Sequence, residues 1–151
     1  MVRALVVEDE EDIKRLLVEE LEDRGYQVRE AGNGVTAMER VSEQLPDIIF
    51  ADIMMPVMDG FDLISKLRED PKTSGIPVVL VTGMNARNAE RIARDLGVRH
   101  HLTKPWEPWA LDDVLEQAGK SRGQGPKDGA KYQVYPPKMT VRGKTGGQPA
   151  E

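Results

Sequence analysis

The stretch of sequence that decides the fold lies at residues 48–60 and reads IIFADIMMPVMDG. It begins inside a short apolar run, residues 47–51, whose β-branched and aromatic side chains predict a buried strand. Asp52 follows this run directly, and Pro56 and Gly60 then mark a loop. An apolar strand without polar alternation is typical of a parallel sheet that is covered on both faces.

Strand and helix signals alternate along the first 118 residues around this stretch. The predicted strands are residues 4–7, 26–31, 47–51, 77–81 and 98–102. Each is followed by a segment with apolar residues at the i, i+3, i+4 spacing of an amphipathic helix. Five strand–helix units predict an α/β fold with a five-stranded parallel sheet, doubly wound and covered by five helices.

Composition excludes several classes of protein. The chain has 151 residues, a formal net charge of −5 and a pI of about 5.2, which excludes a globally basic nucleic-acid binder. The absence of cysteine excludes a disulfide framework and a thiolate metal site. The apolar runs are too short to span a membrane, and the first residues lack a signal-peptide pattern. We therefore expect a soluble, cytoplasmic protein.

The charge divides the chain into two unlike parts. Residues 1–118, the predicted folded domain, carry 14 basic and 24 acidic residues, whereas residues 119–151 carry 7 basic and 2 acidic residues. This second part also holds 7 glycines and 4 prolines and has no helical period, so we predict a flexible or loosely docked tail. A hairpin between residues 132–135 and 139–141 is an alternative. Nucleic-acid binding by the basic tail is a weaker hypothesis, because the tail lacks a recognition helix and a zinc site.

Polar residues follow four of the five predicted strands. They are Glu8 and Asp9, then Asp52, then Thr82, and finally Thr103-Lys104-Pro105. Because the carboxyl ends of parallel strands meet at one edge of a sheet, these side chains are expected to converge there. Clustered carboxylates without histidine or cysteine indicate a hard cation such as Mg²⁺, whose usual further ligand is a phosphoryl group. Asp52 is the carboxylate best placed to accept that group as an acyl phosphate.

Four motifs in this order resemble a known family. They are VVEDE at residues 6–10, IIFADIMMPVMDG at 48–60, VLVTG at 79–83 and LTKP at 102–105. Together they are similar to the receiver domain of two-component response regulators, in particular the stand-alone chemotaxis type, over residues 2–118. The resemblance implies the flavodoxin-like strand order 2-1-3-4-5.

The resemblance also implies the chemistry of the site. Asp52 would accept a phosphoryl group from a phosphohistidine on a sensor histidine kinase or a histidine phosphotransfer protein. Asp9 would bind Mg²⁺ directly, Glu8 through water, and Asp52 and the Met54 backbone carbonyl would complete the protein ligands. The chain would then be a signalling phosphoprotein and not an enzyme, catalysing only its own phosphotransfer and dephosphorylation.

Other residues acquire supporting roles from the same resemblance. Thr82 would move to bond the phosphoryl oxygen, and Lys104 would pair with that oxygen. Pro105 implies a cis bond after Lys104, and Gly60 is expected as a structural turn residue. Phosphorylation would change contacts with a downstream protein on the face of the fourth helix, fifth strand and fifth helix, in a monomer or weak dimer.

His101 departs from the family pattern, which has tyrosine or phenylalanine three residues before the lysine. A switch at His101 is therefore in question, and a protein-binding module that works without phosphorylation is the alternative function. Taken singly, Asp9 and Glu10 could simply favour the start of the first helix, and Lys104 could be a surface lysine. Their joint placement at the strand ends favours the phosphoryl site.

Overall fold

Six parallel strands form a single sheet in the computed structural model, which describes residues 2–53, 55, 57–83, 91, 93–120 and 133–138. The strand order is β2-β1-β3-β4-β5-β6, and every neighbouring pair is parallel. The strands are β1 Arg3–Val7, β2 Gln27–Ala31, β3 Ile48–Asp52, β4 Val78–Thr82, β5 His100–Thr103 and β6 Gln133–Tyr135.

A helix follows each of the first five strands. They are α1 Glu11–Asp23, α2 Gly34–Glu43, α3 Gly60–Glu69, α4, described at residues 91 and 93–95, and α5 Pro108–Lys120. The predicted doubly wound fold, its five helices and its strand order 2-1-3-4-5 are confirmed. Among the described residues, no helix combines the length and the apolar character that a membrane crossing requires.

The core lies in two layers, one on each face of the sheet. Alternate residues of β3 point to opposite faces, so Phe50 packs in one layer and Ile49 in the other. The Phe50 layer includes Leu17 and Leu21 of α1 and Leu111 and Val114 of α5. The Ile49 layer includes Ala37 and Val41 of α2 and Leu63, Ile64 and Leu67 of α3. All five residues of β3 are buried, as expected for the centre of a doubly wound sheet.

Two of the helix-to-strand returns depend on glycine. Gly25 has a φ of 88° and Gly97 a φ of 79°, both in the left-handed region where a Cβ atom is strained. Gly25 follows α1 and donates a backbone hydrogen bond to Glu22, and Gly97 follows α4 and donates one to Arg94. These left-handed residues end the helices and turn the chain into the next strand segment.

A sixth strand adds to the five predicted strands at the edge of the sheet. Residues Gln133–Tyr135 lie parallel to β5, with His101 opposite Val134 and Leu102 opposite Tyr135. The alternative of a hairpin with residues 139–141 falls on residues that lie outside the described part of the chain, as does residue 132. A three-residue strand in a glycine- and proline-rich tail has almost no local signal, since its stability comes from pairing with a distant edge.

Burial at the start of β5 changes the protonation of a histidine. His100 is 5% exposed. Burial lowers the pKa of His100, and the charge of Arg99 acts in the same direction, whereas Gln133 and Asp113 act against them. The folded state therefore favours neutral imidazole more strongly than the unfolded chain does.

We expect His100 to weaken the fold in mild acid. Above the ordinary histidine pKa of about 6.5 both states are neutral, so the contribution to stability is complete. As the pH falls below that value the unfolded chain takes up a proton first, and the free energy of unfolding drops by at most about 1.4 kcal/mol per pH unit. In His100→Gln, the free energy of unfolding should fall less steeply as the pH drops below about 6.5. Urea unfolding of both proteins from pH 7.5 to 5 measures the difference, and parallel curves would contradict the prediction.

Candidate functional site

The carboxyl ends of three neighbouring strands lie at one edge of the sheet. β3 ends at Asp52, β4 at Thr82 and β5 at Thr103, and Thr82 lies opposite Thr103 in the strand register. Asp52 is buried, with 5% of the residue exposed. Glu8, which directly follows β1, is also buried. Two carboxylates are thus held away from bulk solvent at the same edge.

The ammonium group of Lys104 binds three carboxylates at this edge. Its Nζ atom lies 3.0 Å from Oε1 of Glu8, 3.0 Å from Oε1 of Glu10 and 3.2 Å from Oδ2 of Asp52. The Lys104 side chain is 12% exposed, so its ion pairs with the buried Glu8 and Asp52 are shielded from solvent, whereas the Glu10 side chain is 62% exposed. An ammonium group has three N–H donors, which matches the three carboxylates around it.

The ionisation of this cluster reflects burial and mutual charge. Burial raises the pKa of Glu8 to about 7, although its hydrogen bond with Lys104 acts in the opposite direction. For Lys104, burial acts to lower the pKa, but the hydrogen bonds and charges of Glu8, Asp52 and Glu10 outweigh it and raise the pKa. Lys104 therefore stays charged at neutral pH, and its positive charge partly balances the carboxylates.

The acidic residue next to Glu8 is not the one that joins the cluster. Asp9 and Glu10 are both exposed, but the Glu10 carboxylate contacts Lys104. Glu10 occupies the N-cap position of α1, but its side chain makes no capping hydrogen bond. Sequence reasoning missed Glu10 because an acid at a helix start has a common local explanation.

The other residues singled out from the sequence lie around the same edge. Thr82 is buried, and its carbonyl oxygen accepts a hydrogen bond of 2.8 Å from the Lys104 amide. The peptide bond between Lys104 and Pro105 is cis, which confirms the expectation from the sequence. His101 is buried in β5, opposite Leu80 of β4. Met54, expected to contribute its carbonyl, lies outside the described residues.

Gly60 allows a close approach behind Asp52. A Cβ atom at position 60 would lie 2.2 Å from the Asp52 carbonyl oxygen, a distance that no side chain tolerates. The Gly60 amide donates to the Ile53 carbonyl at 2.9 Å, and Asp59 caps α3 by accepting from the Asp62 amide. Glycine at this position therefore lets the first turn of α3 pack against the end of β3 and fix the Asp52 backbone.

The loop between β3 and α3 contains a strained residue. Val57 has a φ of 70°, a backbone conformation that a β-branched side chain rarely adopts. Val57 is also 84% exposed, so little packing offsets the strain. Such a position suits asparagine or glycine better.

We expect Val57→Asn to stabilise the protein by about 1 kcal/mol, because asparagine tolerates positive φ and no buried contact is lost. Thermal unfolding should show a rise of a few degrees in Tm. Val35→Asn is the matched control, since Val35 is 41% exposed and is not at positive φ. A lower Tm for Val57→Asn than for Val35→Asn would contradict the assignment of strain.

The residues of this edge fit a hard divalent cation. Carboxylate oxygens of Glu8, Glu10 and Asp52 all lie within 4.8 Å of one another. Three carboxylate oxygens without nitrogen or sulfur donors are the set that Mg²⁺ prefers. The Lys104 ammonium, within hydrogen-bond distance of all three residues, is an internal cation at the same place. A divalent cation bound at this edge would compete with Lys104 for the same carboxylates.

Comparison with known proteins agrees with this geometry. The sequence profile of the response regulator receiver domain matches residues 4–116. Response regulator PleD of Caulobacter vibrioides is 43% identical over 113 residues, which are 75% of this chain and 24% of PleD. Protein PilH of Pseudomonas aeruginosa is 35% identical over 105 residues, 70% of this chain and 87% of PilH. The chain thus matches about a quarter of PleD and most of PilH.

A solved structure has the same architecture. The chemotaxis response regulator CheY4 of Vibrio cholerae superposes with a TM-score of 0.73 at 27% sequence identity, covering 78% of this chain and 98% of CheY4. The profile match, the strand order and the acidic edge at the ends of β1 and β3 all agree. The chain belongs to the receiver domains of two-component response regulators.

Proposed function

We propose that this receiver domain is a phosphorylation-driven switch in which Asp52 accepts a phosphoryl group. The observation that carries the proposal is the buried Asp52 carboxylate, held 3.2 Å from the Lys104 ammonium beside Glu8. A carboxylate in this position is a nucleophile for an acyl phosphate, and its neighbours supply the opposite charge that the transferring group requires.

The donor in the proposed reaction is a phosphohistidine on a sensor histidine kinase or a histidine phosphotransfer protein. A carboxylate oxygen of Asp52 forms a bond to phosphorus while the bond from phosphorus to the imidazole nitrogen breaks. The imidazole leaves with the bonding electron pair and takes up a proton from solvent. Catalysis consists mainly of positioning and charge stabilisation, as in other phosphoryl transfers.

Mg²⁺ is the cofactor that we propose for this transfer. Glu8, Asp9 and Asp52 would hold it, and Glu10, which offers a carboxylate oxygen within 4.8 Å of those of Glu8 and Asp52, is a further candidate ligand. When bound, Mg²⁺ supplies positive charge that neutralises the phosphoryl oxygens. Lys104 would then exchange its carboxylate contacts for the phosphoryl oxygen, and the Thr82 hydroxyl would donate a further hydrogen bond.

The consequence of phosphorylation is a change in protein contacts. His101 lies on β5, two residues before the strand ends at Thr103, and its strand neighbours are Leu80 of β4 and Val134 of β6. We propose that movement of Thr82 and Lys104 alters the face formed by α4, β5 and α5, where a downstream protein binds.

Incubation with acetyl phosphate tests the proposed function without a cognate kinase. With Mg²⁺ present, intact-mass measurement should show the addition of a single phosphoryl group per chain. Chelation of Mg²⁺ should prevent that addition. If the chain gains no phosphoryl group under either condition, while a known receiver domain gains one in parallel, the phosphoacceptor function is wrong and the phosphorylation-independent binding module takes its place.

A further inference from the structure

The backbone of residues 133–138 follows the edge of β5 along its length. The Gln133 amide donates to the Arg99 carbonyl at 2.7 Å, just before β5 begins. At the other end, the Lys138 amide donates to the Pro105 carbonyl at 2.5 Å, two residues after β5 ends. The segment therefore uses main-chain hydrogen bonds beside β5, which is the mode by which extended peptides add to a sheet.

A single side chain anchors this segment. Tyr135 is 5% exposed and belongs to the core layer that contains α5. Its hydroxyl donates a hydrogen bond of 2.7 Å to Oδ2 of Asp113, and its ring lies edge-on to Trp109, with 6.3 Å between ring centroids. Val134, on the same strand, is 47% exposed. Recognition thus depends on the strand backbone and on one tyrosine.

The anchored segment lies outside the part of the chain that matches the family. That match ends at residue 116, within α5. Without residues 133–135, β5 would be the edge strand of the sheet and would present unpaired backbone donors and acceptors. Trp109 and Asp113 on α5 would stand beside that open edge as an aromatic surface and a hydrogen-bond acceptor.

We propose that the edge of β5, together with Trp109 and Asp113, is a binding surface for an extended tyrosine-bearing segment, and that residues 133–138 of this chain occupy it as an intramolecular ligand. A partner that adds a strand to this edge must displace the segment. The fitting partner is an extended peptide parallel to β5 with an aromatic hydroxyl at the position of Tyr135. Docking does not depend on phosphorylation; only its effect on signal output rests on the proposed function.

A free peptide that competes with residues 133–138 tests whether this segment occupies the surface. The probe is a fluorescent synthetic peptide of residues 131–140, KYQVYPPKMT, and the proteins are the full chain and its Tyr135→Ala variant, without phosphodonor. Because a tethered segment acts at an effective concentration of roughly millimolar, the wild type should bind the peptide about tenfold or more weakly than Tyr135→Ala. Fluorescence anisotropy measures both affinities.

Matched variants separate docking from a loss of folding. Val134→Ala should bind the peptide as weakly as wild type does, and Tyr135→Phe should bind with intermediate affinity because it keeps the ring but loses the bond to Asp113. A probe peptide with alanine in place of its second tyrosine should not bind Tyr135→Ala. Equal affinities for wild type and Tyr135→Ala, or no binding to either, would overturn the proposal. Dimerisation of the wild type that is lost in Tyr135→Ala would place the segment on a second copy and overturn the intramolecular assignment.

Discussion

Asp52→Asn is expected to abolish phosphoryl incorporation from acetyl phosphate. The amide keeps the shape of the side chain but lacks the anionic oxygen that attacks phosphorus. The loss should be on the order of a hundredfold or more relative to wild type, because Asp52 is the proposed acceptor and Glu8, the other buried carboxylate that contacts Lys104, is assigned to the cation. Intact-mass measurement after a fixed incubation time gives the fraction of chains labelled.

Asp59→Asn is the matched control for this substitution. Asp59 lies in the same loop and caps α3 by accepting from the Asp62 amide, a role that asparagine fills equally well. This variant should therefore be labelled like wild type. Labelling of Asp52→Asn at the wild-type level would show that another residue accepts the phosphoryl group, and loss of labelling in both variants would show a general effect of the loop.

Lys104→Met is expected to lower the free energy of unfolding by about 2–4 kcal/mol at pH 7 when Mg²⁺ is absent. Methionine has a similar length but no charge, so the buried Glu8 and Asp52 carboxylates lose their shared cation. Part of the cost is relieved by protonation, since the pKa of Glu8 is already raised to about 7 in the presence of Lys104. Urea unfolding, followed by circular dichroism, measures the change.

Millimolar Mg²⁺ should restore most of the stability that Lys104→Met loses. A cation that binds only the folded carboxylate cluster stabilises it by mass action, and the variant has no internal ammonium to displace. Lys120→Met is the control, because Lys120 is 67% exposed and pairs with Glu116 on the surface of α5. Its stability should change by less than about 1 kcal/mol, without extra Mg²⁺ dependence. An equal effect of Mg²⁺ on the two variants would contradict a cation site at Lys104.

The fold and much of the site follow from strong local patterns. The buried runs around Phe50 and Val81 leave no polar face, so they require a sheet covered on both sides. Once the strands are parallel, the residues that follow them must meet at one edge. This reasoning brings Glu8, Asp52 and Lys104 together correctly, because their placement depends on strand order and not on the detailed path of a loop.

Some features depend on the direction of one side chain or on pairing with a segment far away in the sequence. These features could not be predicted from the sequence. Whether Asp9 or Glu10 turns toward Lys104 depends on the backbone at the junction between β1 and α1, where both residues are acidic. Strand β6 forms because Tyr135 hydrogen-bonds to Asp113 and because residues 133–135 pair with β5, both far away in the sequence. The positive φ of Val57 has no signal in the sequence, since valine is an unfavourable residue for that conformation.

The most direct test of the phosphoryl switch is to locate the phosphoryl group in the chain. Wild-type protein is incubated with acetyl phosphate and Mg²⁺ and treated with borohydride, which reduces an aspartyl phosphate to homoserine with loss of phosphate. The protein is then digested, and the homoserine is located by tandem mass spectrometry. We predict a single modified residue, Asp52, and no modification when Mg²⁺ is chelated. Modification at any other residue, or an unmodified Asp52 in the presence of Mg²⁺, would contradict the account.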